Sequence, residues 1–117
     1  MRIYVAGGMS GVPDFEENFQ MWSQRLKDSF PGAIICDPSK LVPKHMSWLE
    51  GLRICCMATL DTCSHIFMIP GFETSAGANI EYIQACQAKK KYLQPIGDGF
   101  VQGQLEWKWR VVYEQVD

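Results

Sequence analysis

Residues 65–81 read HIFMIPGFETSAGANIE, and this stretch decides the fold because it contains a strand, a turn and the start of a helix. The predicted strand is His65–Ile69, a short apolar run that Pro70-Gly71 ends. A helix is predicted from Ser75 to Ala88, where apolar positions recur at steps of three and four. The side chains predicted to face the core from this helix are Ala76, Ile80 and Ile83. A strand followed by a helix is the repeating unit of a parallel sheet.

The same alternation of strands and helices extends along the rest of the chain. Arg2–Ala6 is a β-rich run that Gly7-Gly8 stops, and a helix that starts at Phe15 keeps one apolar face until Phe30. The remaining predicted elements are a strand at Ala33–Cys36, a loop from Asp37 to about Ser47, a helix at about Ser47–Asp61 and a strand around Tyr92–Gln94. The order β-α-β-α-β-α-β predicts an α/β protein with helices on both faces of a parallel sheet.

We therefore expect a flavodoxin/Rossmann-like three-layer sandwich, with a mainly parallel sheet of four to five strands in the order 2-1-3-4. Apolar and polar residues alternate from Leu105 to Glu114, which predicts a C-terminal strand, antiparallel and at an edge of the sheet. A chain of 117 residues fits one core. We expect one domain, with residues 1–95 as its main part and residues 96–117 as a C-terminal extension.

Composition and charge exclude several classes of function. Eleven basic against thirteen acidic residues give a net charge of -2, so no positive field attracts nucleic acid. No apolar run approaches the roughly 18 residues that span a bilayer, and no signal peptide precedes Ile3, so we expect a cytoplasmic protein without a membrane partner. The five cysteines contain no C-x-x-C pair and the two histidines lie far apart, so we predict neither a metal site nor a cofactor.

Two glycine-containing loops are predicted to form the ligand site. In an open parallel sheet, ligands bind beyond the carboxyl ends of the strands where the strand order reverses, which here lies between the first and third strands. The loops that meet there are residues 7–11 and 70–75. Backbone N–H groups and a helix start favour an anion, to which Ser10 and Ser75 can donate; ordinary helix capping by Thr74 or Ser75 is the alternative. The predicted ligand-binding residues of these loops are Gly7, Gly8, Met9, Ser10, Gly71 and Ser75.

Glu81 is the candidate reactive residue. On the predicted helix it lies among small residues, including Gly77, where a ligand can come close, and about 9 Å along the axis from Ser75. A sugar phosphate has about that reach. Strand alternation puts Tyr4 on the opposite face from its neighbours, and its hydroxyl can reach a carboxylate in the cleft. The alternatives are a solvated helix glutamate and a tyrosine of the core.

These residues resemble a family. IYVAGGMSGVPDF, then DP after the second strand, then HIFMIPGFETSAGANIE is similar to the nucleoside 2-deoxyribosyltransferase-like superfamily. The closest part is a small, uncharacterised bacterial and phage branch whose members read approximately IYLAGPMTGIPDY and CDAIVLLPGWENSRGARLE. The resemblance covers Met1 to about Pro95. It implies that Glu81 is a nucleophile that attacks the anomeric carbon of a sugar and forms a covalent glycosyl-enzyme, and that Tyr4 assists it.

The resemblance also implies how a ligand is held, and where this chain departs from the pattern. Ser75 and the loop residues Gly7, Gly8 and Ser10 fall on positions that hold a phosphate, and members of the superfamily are usually homo-oligomers. The superfamily commonly has Cys-Asp before the third strand, whereas this chain has Cys63-Ser64. Ser64 is therefore predicted to contact the ligand in place of that aspartate. Ser10 stands where the monophosphate hydrolases have an arginine.

Three functional hypotheses follow. The leading one is an enzyme that hydrolyses or transfers the N-glycosidic bond of a nucleoside or nucleoside 5'-monophosphate, acting as a homo-oligomer through Glu81 and Tyr4. The second is a module of the same fold that binds a nucleotide without turning it over, because Ser64 occupies the position of the expected acid. The third is an oligomerisation domain built around the strand that carries Trp107 and Trp109.

Overall fold

A five-stranded sheet forms the centre of the protein in the computed structural model, which describes residues 1–9, 12–41, 51 and 62–104. Its strands are β1 Arg2–Ala6, β2 Ile34–Cys36, β3 His65–Met68, β4 Lys91–Ile96 and β5 Gly99–Gln104. They lie in the order β2-β1-β3-β4-β5. The first four strands are parallel and β5 is antiparallel to β4. The α/β class and the predicted order 2-1-3-4 are confirmed.

The helices cover both faces of this sheet. They are α1 Phe15–Ser29, α2 Pro38–Leu41 and α3 Ala76–Gln87, and a 3-10 helix at Phe72–Thr74 precedes α3. The core is divided into two clusters, one on each face of β1, because side chains alternate along a strand. Ile3 and Val5 pack with α1, whereas Tyr4 and Ala6 pack with α3. This arrangement is compatible with the expected Rossmann-like sandwich. No helix among the described residues is long and apolar enough to cross a membrane.

The buried face of α3 differs from the prediction. Ala76 is exposed and Ile80 and Ile83 are half-buried. The buried side chains of α3 are Ala78, Glu81 and Ala85. The reason is the sheet beneath the helix: the ring of Tyr4 rises from β1 on this face, so small side chains at the contact let α3 come close to it. A glutamate therefore takes a place that the periodicity assigned to isoleucine.

Two elements begin where the sequence predicted something else. Helix α2 starts inside the predicted loop, and Asp37 caps it because its Oδ1 atom accepts from the Ser39 amide at 2.9 Å. The strand that pairs antiparallel with β4 begins at Gly99, where the sequence analysis predicted no element, because Gly97-Asp98 closes a tight hairpin with Gly97 at a φ of 56°. The predicted helix at about Ser47–Asp61, apart from Gly51, and the predicted strand from Leu105 lie outside the described residues.

Candidate functional site

The loop after β1 and the segment before α3 lie side by side at the carboxyl edge of the sheet. A Cβ atom on Gly7 would lie 2.9 Å from Cδ1 of Ile69, and one on Gly8 would lie 3.4 Å from Cβ of Ser75. The Ile69 amide donates to the Ala6 carbonyl at 2.8 Å, which joins the two segments through their backbones. Glycine is required at Gly7 because any side chain would overlap Ile69. The two loops that the sequence predicted as ligand-binding are thus neighbours.

Ser75 is the N-cap of α3. Its Oγ atom accepts from the Ala78 amide at 3.2 Å, which is the ordinary capping role that the sequence left open. A hydroxyl also carries one hydrogen to donate. A Cβ atom on Gly8 would lie 3.0 Å from Cγ2 of Val12 and 3.9 Å from Oγ of Ser75, so the lack of a side chain at Gly8 lets these two residues lie close to the loop. Capping uses the oxygen of Ser75 as an acceptor, which is compatible with donation of its hydrogen to a ligand.

The other residues predicted in the two loops have mixed positions. Gly71 has a φ of 92° and is exposed at the start of the 3-10 helix, so its role there is to form a turn. Met9 is half-buried and packs with the core on the α1 face. Gly77 is half-buried in the first turn of α3, near the convergence of the loops. Ser10 lies outside the described residues.

Glu81 and Tyr4 form a buried pair beneath α3. The Glu81 side chain is only 4% exposed and Tyr4 is fully buried. The Tyr4 hydroxyl donates a hydrogen bond to Oε2 of Glu81. Because Ala78 and Ala85 share the buried face, the carboxyl group is surrounded mainly by apolar side chains. Glu81 is therefore not a solvated helix glutamate, the alternative that the sequence had left open.

Burial changes the chemistry of Glu81. It raises the pKa of the carboxyl group from its ordinary value of 4.5 to about 8, because desolvation penalises the charged form. At neutral pH the free protein therefore holds Glu81 mainly protonated, and the group can either donate or release a proton near pH 8. A buried carboxyl with a strongly raised pKa is often found at a functional site.

Ser64 lies at the opposite edge of the sheet. Its amide donates to the Arg2 carbonyl at 3.0 Å, at the amino end of β1, and its hydroxyl is 2.7 Å from Nδ1 of His65. Nε2 of His65 in turn lies 2.9 Å from Oε1 of Gln102. At about 3.3 Å per residue, Ser64 is about 13 Å from Met68 at the carboxyl end of β3. The structure therefore does not bring Ser64 to the loops, because a residue that precedes a parallel strand lies at its amino edge.

A second acidic residue, Asp37, lies at the carboxyl edge, and the sequence analysis did not assign it to the site. It follows β2 directly and is 7% exposed. Its Oδ1 atom is bound by Ser39, whereas its Oδ2 atom is buried without a hydrogen-bond partner among the described residues. The signal was present in the sequence, because an acid after a predicted parallel strand falls at the edge where ligands bind.

The remaining polar groups of the described residues have other surroundings. The thiols of Cys36 and Cys63 are buried with their sulfur atoms 3.2 Å apart, and burial raises the pKa of Cys63 to about 11. No group of three or more His, Cys, Asp or Glu side chains in the described part of the chain is arranged to hold a metal ion. A shallow surface cavity of about 470 Å³ contains carboxylates that repel an anion. It is lined by Pro13, Asp14, Glu17, Asn18 and Met21.

Comparison with known proteins identifies a family. The family described as Domain of unknown function (DUF4406) matches residues 1–94. The chain belongs to this family. No curated protein and no solved structure matches it at a significant level. The DUF4406 region includes Tyr4, Glu81, Asp37 and both loops, whereas β5 lies after it.

Proposed function

We propose that this DUF4406 protein is an N-glycosidase or glycosyltransferase of the nucleoside 2-deoxyribosyltransferase type, acting on a nucleoside or nucleoside 5'-monophosphate. The observation that carries the proposal is the buried Glu81 carboxyl, hydrogen-bonded to Tyr4, beside two glycine loops that lie against each other. The resemblance in sequence aligns these same residues with a nucleophile, its tyrosine and a phosphate loop. Two independent arguments thus select one set of side chains.

The proposed reaction has two steps. Ionised Glu81 attacks the anomeric carbon of the sugar, and the bond from that carbon to the base breaks, with its electron pair leaving on the base, which takes up a proton. The proton on the leaving base comes from solvent. Water then attacks the same carbon and breaks its bond to Glu81, keeping one hydrogen as the new sugar hydroxyl and giving the other proton to solvent, which frees the sugar and restores the carboxylate. Alternatively, a second base attacks through a ring nitrogen, loses its proton to solvent and takes the sugar. Tyr4 orients the carboxylate, and the N-terminal end of α3 with Ser75 favours a phosphate on the ligand.

The departure at Ser64 concerns how the leaving base is protonated. Ser64 stands where the superfamily commonly has an aspartate, and it is hydrogen-bonded at the amino edge of the sheet, away from the glycine loops. Because this chain has no acid at that position, the leaving base takes its proton from solvent in the proposed reaction. Ser64 is accordingly no longer among the ligand-binding residues that we propose.

The test is an assay for released base. Wild-type protein is incubated with a panel of ribonucleosides, 2'-deoxynucleosides and their 5'-monophosphates, and the products are separated by chromatography. We expect release that increases with pH through about 8, as Glu81 ionises. Glu81→Gln keeps the shape and the acceptor for Tyr4 but cannot attack, so it should lower the rate by at least about a hundredfold.

A matched control keeps this experiment specific. Glu17→Gln changes an exposed glutamate of α1, outside both glycine loops, and it should retain the wild-type rate. If Glu81→Gln releases base as fast as the wild type, Glu81 is not the nucleophile.

A binding module without turnover is the second candidate. The protonated state of Glu81 at neutral pH favours it, because a neutral carboxyl is a poor nucleophile but a good hydrogen-bond donor. Calorimetry should then show affinity for a nucleotide while the base-release assay stays blank up to pH 9. A measurable release of base would exclude this candidate.

A further inference from the structure

The end of β2 brings a second carboxylate to the edge at which the glycine loops lie. Asp37 follows Cys36, whose register partner on β1 is Tyr4. Parallel neighbours are about 4.8 Å apart and consecutive Cα atoms 3.8 Å, so the Cα atoms of Asp37 and Tyr4 are no more than about 9 Å apart. Asp37 thus directly follows β2, which is the neighbour of the strand that carries Tyr4.

The two oxygen atoms of Asp37 have unequal surroundings. Oδ1 accepts from the Ser39 amide at 2.9 Å and from the Ser39 hydroxyl at 2.5 Å, which fixes the orientation of the carboxylate. Oδ2 is buried and has no hydrogen-bond partner among the described residues. Capping of α2 explains Oδ1 only. A buried carboxylate oxygen without a donor is unfavourable and uncommon, so its presence calls for a further explanation.

We propose that Asp37 is a substrate-binding residue whose Oδ2 atom accepts a hydrogen bond from a hydroxyl group on the sugar of the bound nucleoside. This inference rests on the proposed function. An unpaired carboxylate oxygen repels a phosphate and requires a donor, which a sugar hydroxyl supplies. The sugar is also the part of the ligand that must contact Glu81 at its anomeric carbon. The Cα atoms of Asp37 and Tyr4 lie no more than about 9 Å apart, so one ligand at this edge can contact residues of both strands.

The expected signature is a loss of selectivity. Ligands are compared in pairs that differ by one hydroxyl: a ribonucleoside with its 2'-deoxy form, and a 2'-deoxynucleoside with its 2',3'-dideoxy form. In the wild type, one of these pairs should differ about tenfold to a hundredfold in affinity by calorimetry, the effect expected of a hydrogen bond to a charged group. In Asp37→Asn, the same pair should differ by less than threefold. The reason is that the substitution lowers the affinity of the ligand that carries the hydroxyl more than the affinity of the ligand that lacks it.

The controls separate binding from folding. Asp98→Asn, in the exposed turn between β4 and β5, should keep the wild-type selectivity. Asp37→Asn retains an oxygen for Ser39, and its melting temperature shows whether it folds. The wild type provides a test that needs no variant, since equal affinity within every pair would overturn the assignment even if Asp37→Asn did not fold.

The outcomes also distinguish this inference from the proposed function. If Asp37→Asn folds and keeps the wild-type preference, the role of Asp37 is overturned while the role of Glu81 stands. If the wild type neither binds nor cleaves any nucleoside or nucleotide of the panel, the proposed function fails and the assignment of Asp37 fails with it.

Discussion

Gly7 shows how a single residue holds the two loops of the candidate site together. The space beside its Cα atom is filled by the side chain of Ile69, two of whose atoms would lie within 3.0 Å of an added Cβ. A side chain at this position therefore requires one of the two segments to move away. Gly7 therefore allows the loop after β1 to lie close to Ile69. It affects a ligand only by holding the two loops in this position.

We expect Gly7→Ala to destabilise the protein by about 1 to 3 kcal/mol, the usual range for forcing a methyl group into a packed region. The measurement is unfolding in urea, followed by circular dichroism. Gly103→Ala on β5 is the matched control, because nothing lies within 4 Å of a Cβ at Gly103, and it should change the free energy of unfolding by less than about 0.5 kcal/mol. Equal effects of the two variants would contradict the packing argument.

Among the elements, β5 is the one whose packing contacts reach residues far from it in sequence. It lies after the region that DUF4406 matches, yet Phe100 contacts the rings of Trp22, Phe30 and Phe67, with centroids 5.5 to 6.4 Å apart. The hairpin of β4 and β5 thus covers part of the core between the sheet and α1. We infer that β5 contributes to the stability of the region that precedes it.

Phe100→Ala should therefore lower the free energy of unfolding by about 2 to 4 kcal/mol, since a half-buried phenylalanine loses somewhat less than a fully buried one. Val101→Ala provides the comparison, because Val101 is 47% exposed on the same strand and should lose less than about 1 kcal/mol. Both variants are measured by urea unfolding. A Phe100→Ala protein as stable as Val101→Ala would show that β5 does not stabilise the core.

At the scale of the whole molecule, the buried Glu81 makes folding depend on pH. The pKa of this carboxyl is about 8 in the folded protein and 4.5 as its ordinary value. Between these pH values the folded chain keeps a proton that the unfolded chain has released, so stability decreases as pH rises. The slope is about 1.4 kcal/mol per pH unit, or about 5 kcal/mol over the interval, and it levels off above pH 8.

Glu81→Gln removes this titration. We expect the variant to gain stability relative to the wild type by several kcal/mol between pH 5 and pH 9, with most of the gain above pH 6. Free energies of unfolding at both pH values are the measurement, and Glu17→Gln, on the exposed surface of α1, is the control. A difference between Glu81→Gln and the wild type that stays constant with pH would show that Glu81 is not buried as described.

Self-association stays a prediction at this scale. The resemblance to the superfamily implies a homo-oligomer, and light scattering of the purified protein measures its mass directly. The predicted strand with Trp107 and Trp109, which either packs on the sheet of its own chain or joins two copies, lies outside the described residues.

The sequence alone determined the elements that depend on neighbours along the chain. Strand β1, helix α1 and the start of α3 at its Ser75 cap agree with the predictions almost residue for residue, because apolar periodicity and turn residues are local properties. The order of the parallel strands also followed, since short crossovers of one hand leave few topologies. Glu81 and Tyr4 were selected from local patterns only together with the resemblance to the superfamily, which aligns them with a nucleophile and its tyrosine.

Only the tertiary structure decided what depends on partners distant in sequence. It rotated α3 so that Glu81, not Ile80, lies against Tyr4, since the helix face is chosen by the shape of the sheet beneath it. It separated Ser64 from the loops by the length of β3 and left one oxygen of Asp37 buried without a partner. Periodicity records which side chains are apolar, whereas packing and hydrogen bonding across the sheet decide which polar groups become buried and where.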